Sequence, residues 1–169
     1  MKNHAKGFSL IELNLSLFIF AAIAILALQS FSVGFRSSEE IHTRTRITGE
    51  IRSGIERIER ELRNSSYSRV TVPQTNQQLQ FTVPQSITSE GVITWGSAIQ
   101  YILGGINGQQ LLRQDVGAGT STVIANNITG LQFVKNANPA TLSVSMTGQG
   151  RTAQGRAIPV SLNATVEFR

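Results

Sequence analysis

A single carboxylate stands near the start of the longest apolar stretch in the chain. The segment KGFSLIEL, residues 6–13, places Glu12 four positions after Phe8, and the 23 residues from Leu13 to Phe35 carry no charge. An unpaired carboxylate in a membrane segment costs about 2.5–3.5 kcal/mol on insertion scales. Either a positive group must meet Glu12, or its side chain must snorkel to the membrane interface near a helix end.

No other group of residues in the sequence suggests catalysis or metal binding. The chain has no cysteine, which excludes disulfides, thiolate metal sites and a cysteine nucleophile. Beyond Ser66 the acidic residues are Glu90, Asp115 and Glu167, which are too scattered to suggest paired carboxylates or a calcium site. His42 is expected to be a solvated helix residue. We therefore expect no enzymatic activity, no cofactor and no metal.

The apolar run is long enough to cross a lipid bilayer. At about 1.5 Å per residue, its length exceeds the hydrocarbon core of about 30 Å. Lys2 and Lys6 precede the run and favour a cytoplasmic N-terminus, which places the rest of the chain on the other side. Two alternatives stay open: a permanent single-span anchor, and a secretory signal cleaved near Ser30 or Ser32 that would release a secreted β domain.

The segment KGFSLIEL resembles the prepilin signature of type IV pilins and type II secretion pseudopilins. Gly7, Phe8 and Glu12 match that signature position by position, and Lys6 supplies the usual leader charge. The resemblance implies that prepilin peptidase cleaves between Gly7 and Phe8 and that Phe8 is N-methylated, while the apolar segment is kept. Removal of the leader with Lys2 and Lys6 lowers the formal net charge from +5 to +3.

The resemblance also implies a location and a set of partners. The chain would be a single-pass protein of the bacterial inner membrane, with its C-terminal domain in the periplasm or outside the cell. The assembly platform in that membrane would then join it to other pilin or pseudopilin subunits. Glu12 would neutralise the Phe8 amine of a neighbouring subunit, which fixes the register because a misplaced subunit leaves both charges unpaired.

Beyond Phe35 the sequence becomes amphipathic. Ile51, Ile55, Ile58 and Leu62 follow a helical spacing and predict the face on which a C-terminal domain packs. The segment IERIEREL resembles the corresponding part of J-type minor pseudopilins and W-class minor pilins. The late apolar segment ILALQSF also lacks the proline that many major pilins carry there, which favours a minor subunit, at or near the filament tip.

From Arg69 onward, short alternating runs predict a small antiparallel β domain. Asn107–Gly108 is the strongest hairpin signal, residues 147–157 are expected to form a flexible loop, and residues 158–168 a half-buried strand. The predicted fold class is α+β and pilin-like, with a long N-terminal helix packed on the β domain. The predicted parts are the leader 1–7, the membrane or filament-core helix 8–35, the amphipathic helix 36–66 and the β domain 67–169. The order of the strand motifs again resembles the J-type and W-class pattern. The residues that carry this resemblance are Tyr101, Leu111, Arg113, Asn127, Leu131 and Phe133.

An alternative from another functional class is a filament-associated module that binds nucleic acid or surfaces. Arg113, Lys135, Arg151 and Arg156 would contact phosphates in that case, and Trp95 with Tyr101 could form a stacking surface beside Arg113. A net charge of +3 without the leader is too small to argue for nucleic acid by itself.

Overall fold

The structure is a computed structural model that describes residues 9–168. It contains one long helix, α1 (Leu10–Leu62), followed by seven β-strands. The internal contacts of the chain divide it into two units, one ending at Ile41 and the other beginning at His42. The first unit contains only the N-terminal part of α1 among the described residues.

The second unit has an α+β, pilin-like architecture in which the C-terminal part of α1 packs with two antiparallel sheets. The strands are β1 (Gln78–Ile87), β2 (Ile93–Gly104), β3 (Gln110–Asp115), β4 (Thr120–Asn126), β5 (Ile128–Asn136), β6 (Thr141–Arg151) and β7 (Ala157–Glu167). One sheet has the order β1-β2-β3-β4 and the other the order β5-β6-β7. Every pairing connects sequence neighbours, so short turns suffice to join the strands.

The core of the second unit lies between the helix and both sheets. Ile51, Ile55, Ile58 and Leu62 are buried, and Ile47 continues their stripe by one helical turn. They pack in one cluster with buried side chains of both sheets, among them Leu79, Phe81, Tyr101, Leu111, Phe133, Leu142, Val144 and Met146. The 3.6-residue period of the helix and the two-residue period of the strands together bring these side chains to one core.

Glycines allow the helix to lie close to strand β6. A Cβ atom at Gly150 would stand 2.5 Å from Cγ2 of Thr43, and a Cβ atom at Gly148 would stand 2.9 Å from Cγ2 of Ile47. On the helix side, a Cβ atom at Gly54 would approach Leu111 Cδ2 to 3.0 Å. Larger residues at these positions would push the helix away from the sheets.

Several sequence predictions match the strands and turns. The hairpin predicted at Asn107–Gly108 joins β2 to β3, and both residues adopt the positive φ angles that such a turn requires. The segment KNANPATL contains the turn that joins β5 to β6. Strand β7 buries one side, with Ile158 and Val166 in contact with the interior.

The strands of the β domain differ from the sequence predictions in places. The predicted loop 147–157 is narrower than expected: β6 continues to Arg151 and β7 begins at its partner Ala157, so residues 152–156 form the turn between them. Gly148 and Gly150, which the sequence alone had suggested were flexible, lie where the helix packs closely against β6. Strand β4 had not been predicted from the sequence, and β2 is one continuous strand from Ile93 to Gly104.

Candidate processing and assembly site

The N-terminal part of α1 exposes its apolar side chains. Within the described residues α1 is the one helix that is long and apolar enough to span a membrane, and its most apolar window has no buried residue. Leu10 is 79% exposed, and Phe18 and Phe35 are each 74% exposed. A soluble surface rarely presents a continuous apolar patch of this size, so lipid or partner subunits must cover it.

Glu12 lies in the first turn of α1 and makes a local hydrogen bond there. The backbone N–H of Ser9 donates to Glu12 Oε2 at 3.0 Å, and the N–H of Ile11 donates to Ser9 Oγ at 3.3 Å. The arrangement is a variant of the capping box in which the Ser9 oxygen accepts at the second helical position, and it satisfies two N–H groups that the first helical turn would otherwise leave without partners. The carboxylate also lies at the positive end of the helix dipole.

The capping role of Glu12 was missed by the sequence analysis. Ser9 and Glu12 fit the Ser-x-x-Glu pattern that precedes an apolar run, and this pattern alone would have predicted the cap. Gly7, Phe8, Lys2 and Lys6 lie outside the described residues, so their predicted roles stay predictions. The structure does bring Glu12 to the backbone N–H of the residue that directly follows Phe8.

The family model of the prokaryotic N-terminal methylation motif matches residues 2–28. The chain carries the methylation motif of the type IV pilin-like prepilins. The match spans the predicted leader, the Ser9–Glu12 cap and the first turns of the exposed apolar helix. No curated protein and no solved structure matches the chain.

The motif supports a coarse functional statement. A prepilin of this kind is a substrate of prepilin peptidase and assembles with other pilin subunits, and members of the family are typically structural proteins without enzymatic activity. The motif and the single apolar helix suit a protein anchored in the inner membrane by one span.

A charged cluster joins the C-terminal part of α1 to the β domain. Glu61 accepts hydrogen bonds from Arg57 Nε at 2.9 Å and from Arg113 Nε at 3.0 Å. The side chains of Glu61 and Arg113 are only 15% and 23% exposed, which makes this ion pair better shielded from solvent than an ordinary surface pair. The pair links the last turns of α1 to strand β3.

The buried phenol of Tyr101 borders this cluster. Burial, followed by the negative charge of Glu61, raises the pKa of Tyr101 above its ordinary value of 10. The hydrogen bond to Glu61 likewise raises the pKa of Arg57. The Tyr101 hydroxyl has no hydrogen-bond partner of standard geometry among the described residues. The cluster is therefore a structural contact between the last turns of α1 and strand β3.

Two of the four basic side chains that were expected to contact phosphates in the nucleic-acid alternative instead contact groups of the same chain. Arg113 is paired with Glu61, and Lys135 Nζ donates to the backbone oxygen of Val70 at 2.6 Å while it lies 4.2 Å from the ring centroid of Tyr67. Arg151 and Arg156 are exposed on either side of the turn between β6 and β7.

The predicted stacking surface beside Arg113 does not form. Tyr101 is fully buried, and Trp95 instead lies under the guanidinium of Arg69, at 4.7 Å from its ring centroid. His42 is exposed, as expected for a solvated helix residue. Within residues 9–168, no three His, Cys, Asp or Glu side chains are grouped in a way that could hold a metal ion.

Proposed function

We propose that this prepilin is a minor subunit of a type IV pilus or a type II secretion pseudopilus, located at or near the filament tip. Its β domain faces the periplasm or the cell exterior, and before assembly the apolar helix anchors the chain in the inner membrane. Prepilin peptidase cleaves between Gly7 and Phe8 and methylates Phe8, and the assembly platform then moves the subunit into the filament. The observation that carries the proposal is the exposed, uncharged helix that follows Glu12 inside the matched motif.

The cap gives Glu12 a role at each stage of this process. Before docking, the carboxylate accepts the N–H of its own Ser9, which offsets part of the cost of a charge near lipid. After docking, the methylated Phe8 amine of a neighbour supplies the opposite charge. A subunit that docks out of register would bury both charges without partners, at a cost of several kcal/mol.

The minor class and the tip position are supported by the sequence alone. The apolar run lacks a proline in its later part, and the order of the strand motifs resembles that of J-type and W-class subunits. The β domain shares its core with the C-terminal part of α1, so the helix holds it in place and its outer surface can face partners.

Substitution of Glu12 tests whether the chain acts as a filament subunit. Glu12→Gln keeps the cleavage sequence and a cap acceptor but removes the charge, so cleavage after Gly7 should continue while recovery in sheared filaments falls strongly. Glu12→Asp keeps the charge with a side chain shorter by one methylene and should give an intermediate recovery. Wild-type recovery of the Gln form would show that Glu12 is not a docking charge.

A further inference from the structure

A cavity of about 430 Å³ lies between the last turn of α1 and the sheet β1-β2-β3-β4. One of its walls is apolar and the other is polar. The residues that line it are Val83, Pro84 and Ile99 on the apolar side and Glu61, Asn64 and Arg113 on the polar side. Ligand sites in proteins are commonly concave, with apolar walls and a few polar groups that fix the orientation of the ligand.

A bulge in the sheet shapes the apolar wall. Between the pairs Thr82–Ala98 and Pro84–Trp95, strand β1 advances by two residues and strand β2 by three. An irregularity of this kind bends the strands and is frequent beside functional sites. Val83 lies at the irregularity, so the cavity is located where the regular pairing of β1 with β2 is interrupted.

The polar wall has more hydrogen-bond donors than acceptors. Arg113 donates to both oxygens of Glu61 through its Nε alone. Within residues 9–168, the two terminal nitrogens of Arg113 have no hydrogen-bond partner, although the side chain is only 23% exposed. The end of a guanidinium carries two parallel N–H groups that match the two oxygens of a carboxylate. Arg113 therefore keeps this carboxylate-binding end free.

The charges at the polar wall favour an anion over a cation. Arg57 and Arg113 share the single carboxylate of Glu61, so two positive charges and one negative charge give these side chains a formal net charge of +1. The buried phenol of Tyr101, the strand partner of Arg113, is a further donor without a hydrogen-bond partner among the described residues. Glu61 and the negative end of the α1 dipole oppose a second anion in part, so we expect binding in the millimolar range.

We infer that this cavity binds a carboxylate that is joined to an apolar group. The carboxylate meets the free end of the Arg113 guanidinium, and the apolar group packs on Val83 and Ile99. An inorganic anion would use the same donors but would leave the apolar wall in water, so an ion with an apolar part fits the cavity better. Such a carboxylate belongs either to a small organic acid or to the carboxyl end of a polypeptide.

Titration of the full chain in detergent micelles with three probes tests the site. N-acetyl-leucine carries the carboxylate and the apolar group, acetate carries the carboxylate alone, and N-acetyl-leucinamide carries the apolar group alone. The indole N–H signal of the single tryptophan, Trp95, in NMR spectra reports binding, because Trp95 is the strand partner of Pro84 in the apolar wall. We expect N-acetyl-leucine to saturate this signal at millimolar concentrations, with a dissociation constant about tenfold lower than that of either other probe.

Two variants and a matched control locate the site. Arg113→Lys keeps a positive charge beside Glu61 but removes the free pair of N–H groups, so the dissociation constant of N-acetyl-leucine should rise about tenfold. Arg60→Lys makes the same change at an exposed position outside the cavity and should leave the constant unchanged. If Arg113→Lys lowers the melting temperature of the chain, Pro84→Glu replaces it, because a negative charge at this exposed edge of the cavity should raise the constant about fivefold.

A short peptide that ends in leucine with a free carboxylate distinguishes the two sources. Binding of this peptide at least as tight as that of N-acetyl-leucine supports a polypeptide end, and weaker binding supports a small acid. The inference is overturned if the acid and the amide bind equally, if acetate binds as tightly as N-acetyl-leucine, if neither Arg113→Lys nor Pro84→Glu weakens binding, or if no probe saturates at millimolar concentrations. None of these results concerns cleavage after Gly7, so each leaves the proposed function standing.

Discussion

Residues 13–35 and residues 47–62 belong to the same helix, yet the first stretch exposes its apolar side chains and the second buries them. In the second stretch, isoleucines alternate with charged residues at helical spacing and the chain supplies two sheets to cover them. In the first stretch apolar residues surround the helix and nothing in its own unit covers them. The comparison teaches that one helix can serve two environments, with lipid or subunits covering the first part and the β domain covering the second.

The largest expected difference comes from making the same substitution in both stretches. Ile51 is fully buried and Ile25 is 55% exposed. Ile51→Ala should lower the free energy of unfolding of the second unit by about 2–5 kcal/mol, whereas Ile25→Ala should leave it unchanged. Denaturant titration of the full chain in detergent, followed by the fluorescence of the single tryptophan, Trp95, measures both. Equal effects of the two substitutions on the free energy of unfolding would contradict the distinction between a buried and an exposed stretch.

The free energy of unfolding should be nearly as sensitive to a substitution where the helix packs closely on the sheet. Gly150→Val would place new atoms against Thr43 and Ile47, and overpacking of this kind costs about 1–3 kcal/mol. Gly49→Val is the matched control, because nothing lies within 4 Å of a Cβ atom at that position. The same denaturant titration should separate the two variants, and a Gly150→Val chain as stable as wild type would mean that the helix does not lie on β6 as described.

A smaller effect is expected at the start of the exposed stretch. Ser9→Ala removes the oxygen that accepts the N–H of Ile11 and should weaken the first turn by about 1 kcal/mol. Hydrogen exchange of the Ile11 amide in detergent micelles should become faster. Ser16→Ala, which removes a hydroxyl bonded to the backbone oxygens of Glu12 and Leu13, should not change it. Equal exchange rates in the Ser9→Ala variant and wild type would contradict the cap.

The smallest effect at neutral pH is expected at Tyr101 of β2, which belongs to the core that covers the buried stretch. Because folding raises the pKa of Tyr101 above 10, its contribution is complete below pH 10 and is lost as the pH rises toward the folded-state pKa. Tyr101→Phe should therefore lose less stability than wild type between about pH 9 and pH 11, because this interval brackets the ordinary pKa of tyrosine. Parallel profiles for wild type and Tyr101→Phe would contradict the burial of the phenol.

Local patterns in the sequence were sufficient to predict the helix and the tightest turn. The isoleucine spacing predicts a helical stripe, and Asn107–Gly108 predicts a hairpin because few other residues adopt positive φ angles without cost. Both features depend on residues close together in the chain. The Ser9–Glu12 cap was equally local and could have been predicted from the same short segment.

Features that depend on distant residues could not be predicted in this way. Strand β4, TSTVIAN, buries only Ala125 and owes its conformation to pairing with β3. Gly148 and Gly150 resemble loop residues in sequence, and only the position of the helix explains why they belong to a strand. The Glu61–Arg113 ion pair joins residues 52 positions apart, which no spacing rule connects.

The mass of the mature N-terminal peptide tests the central claim most directly. The chain is purified from membranes of cells that contain prepilin peptidase, digested, and its first peptide is sequenced by mass spectrometry. We predict a peptide that begins at Phe8 and is one methyl group heavier than its sequence, with the apolar run of residues 13–35 retained in the same chain. A mature chain that begins near Ser30–Ser32, or an unprocessed chain that keeps Lys2 and Lys6, would contradict the account.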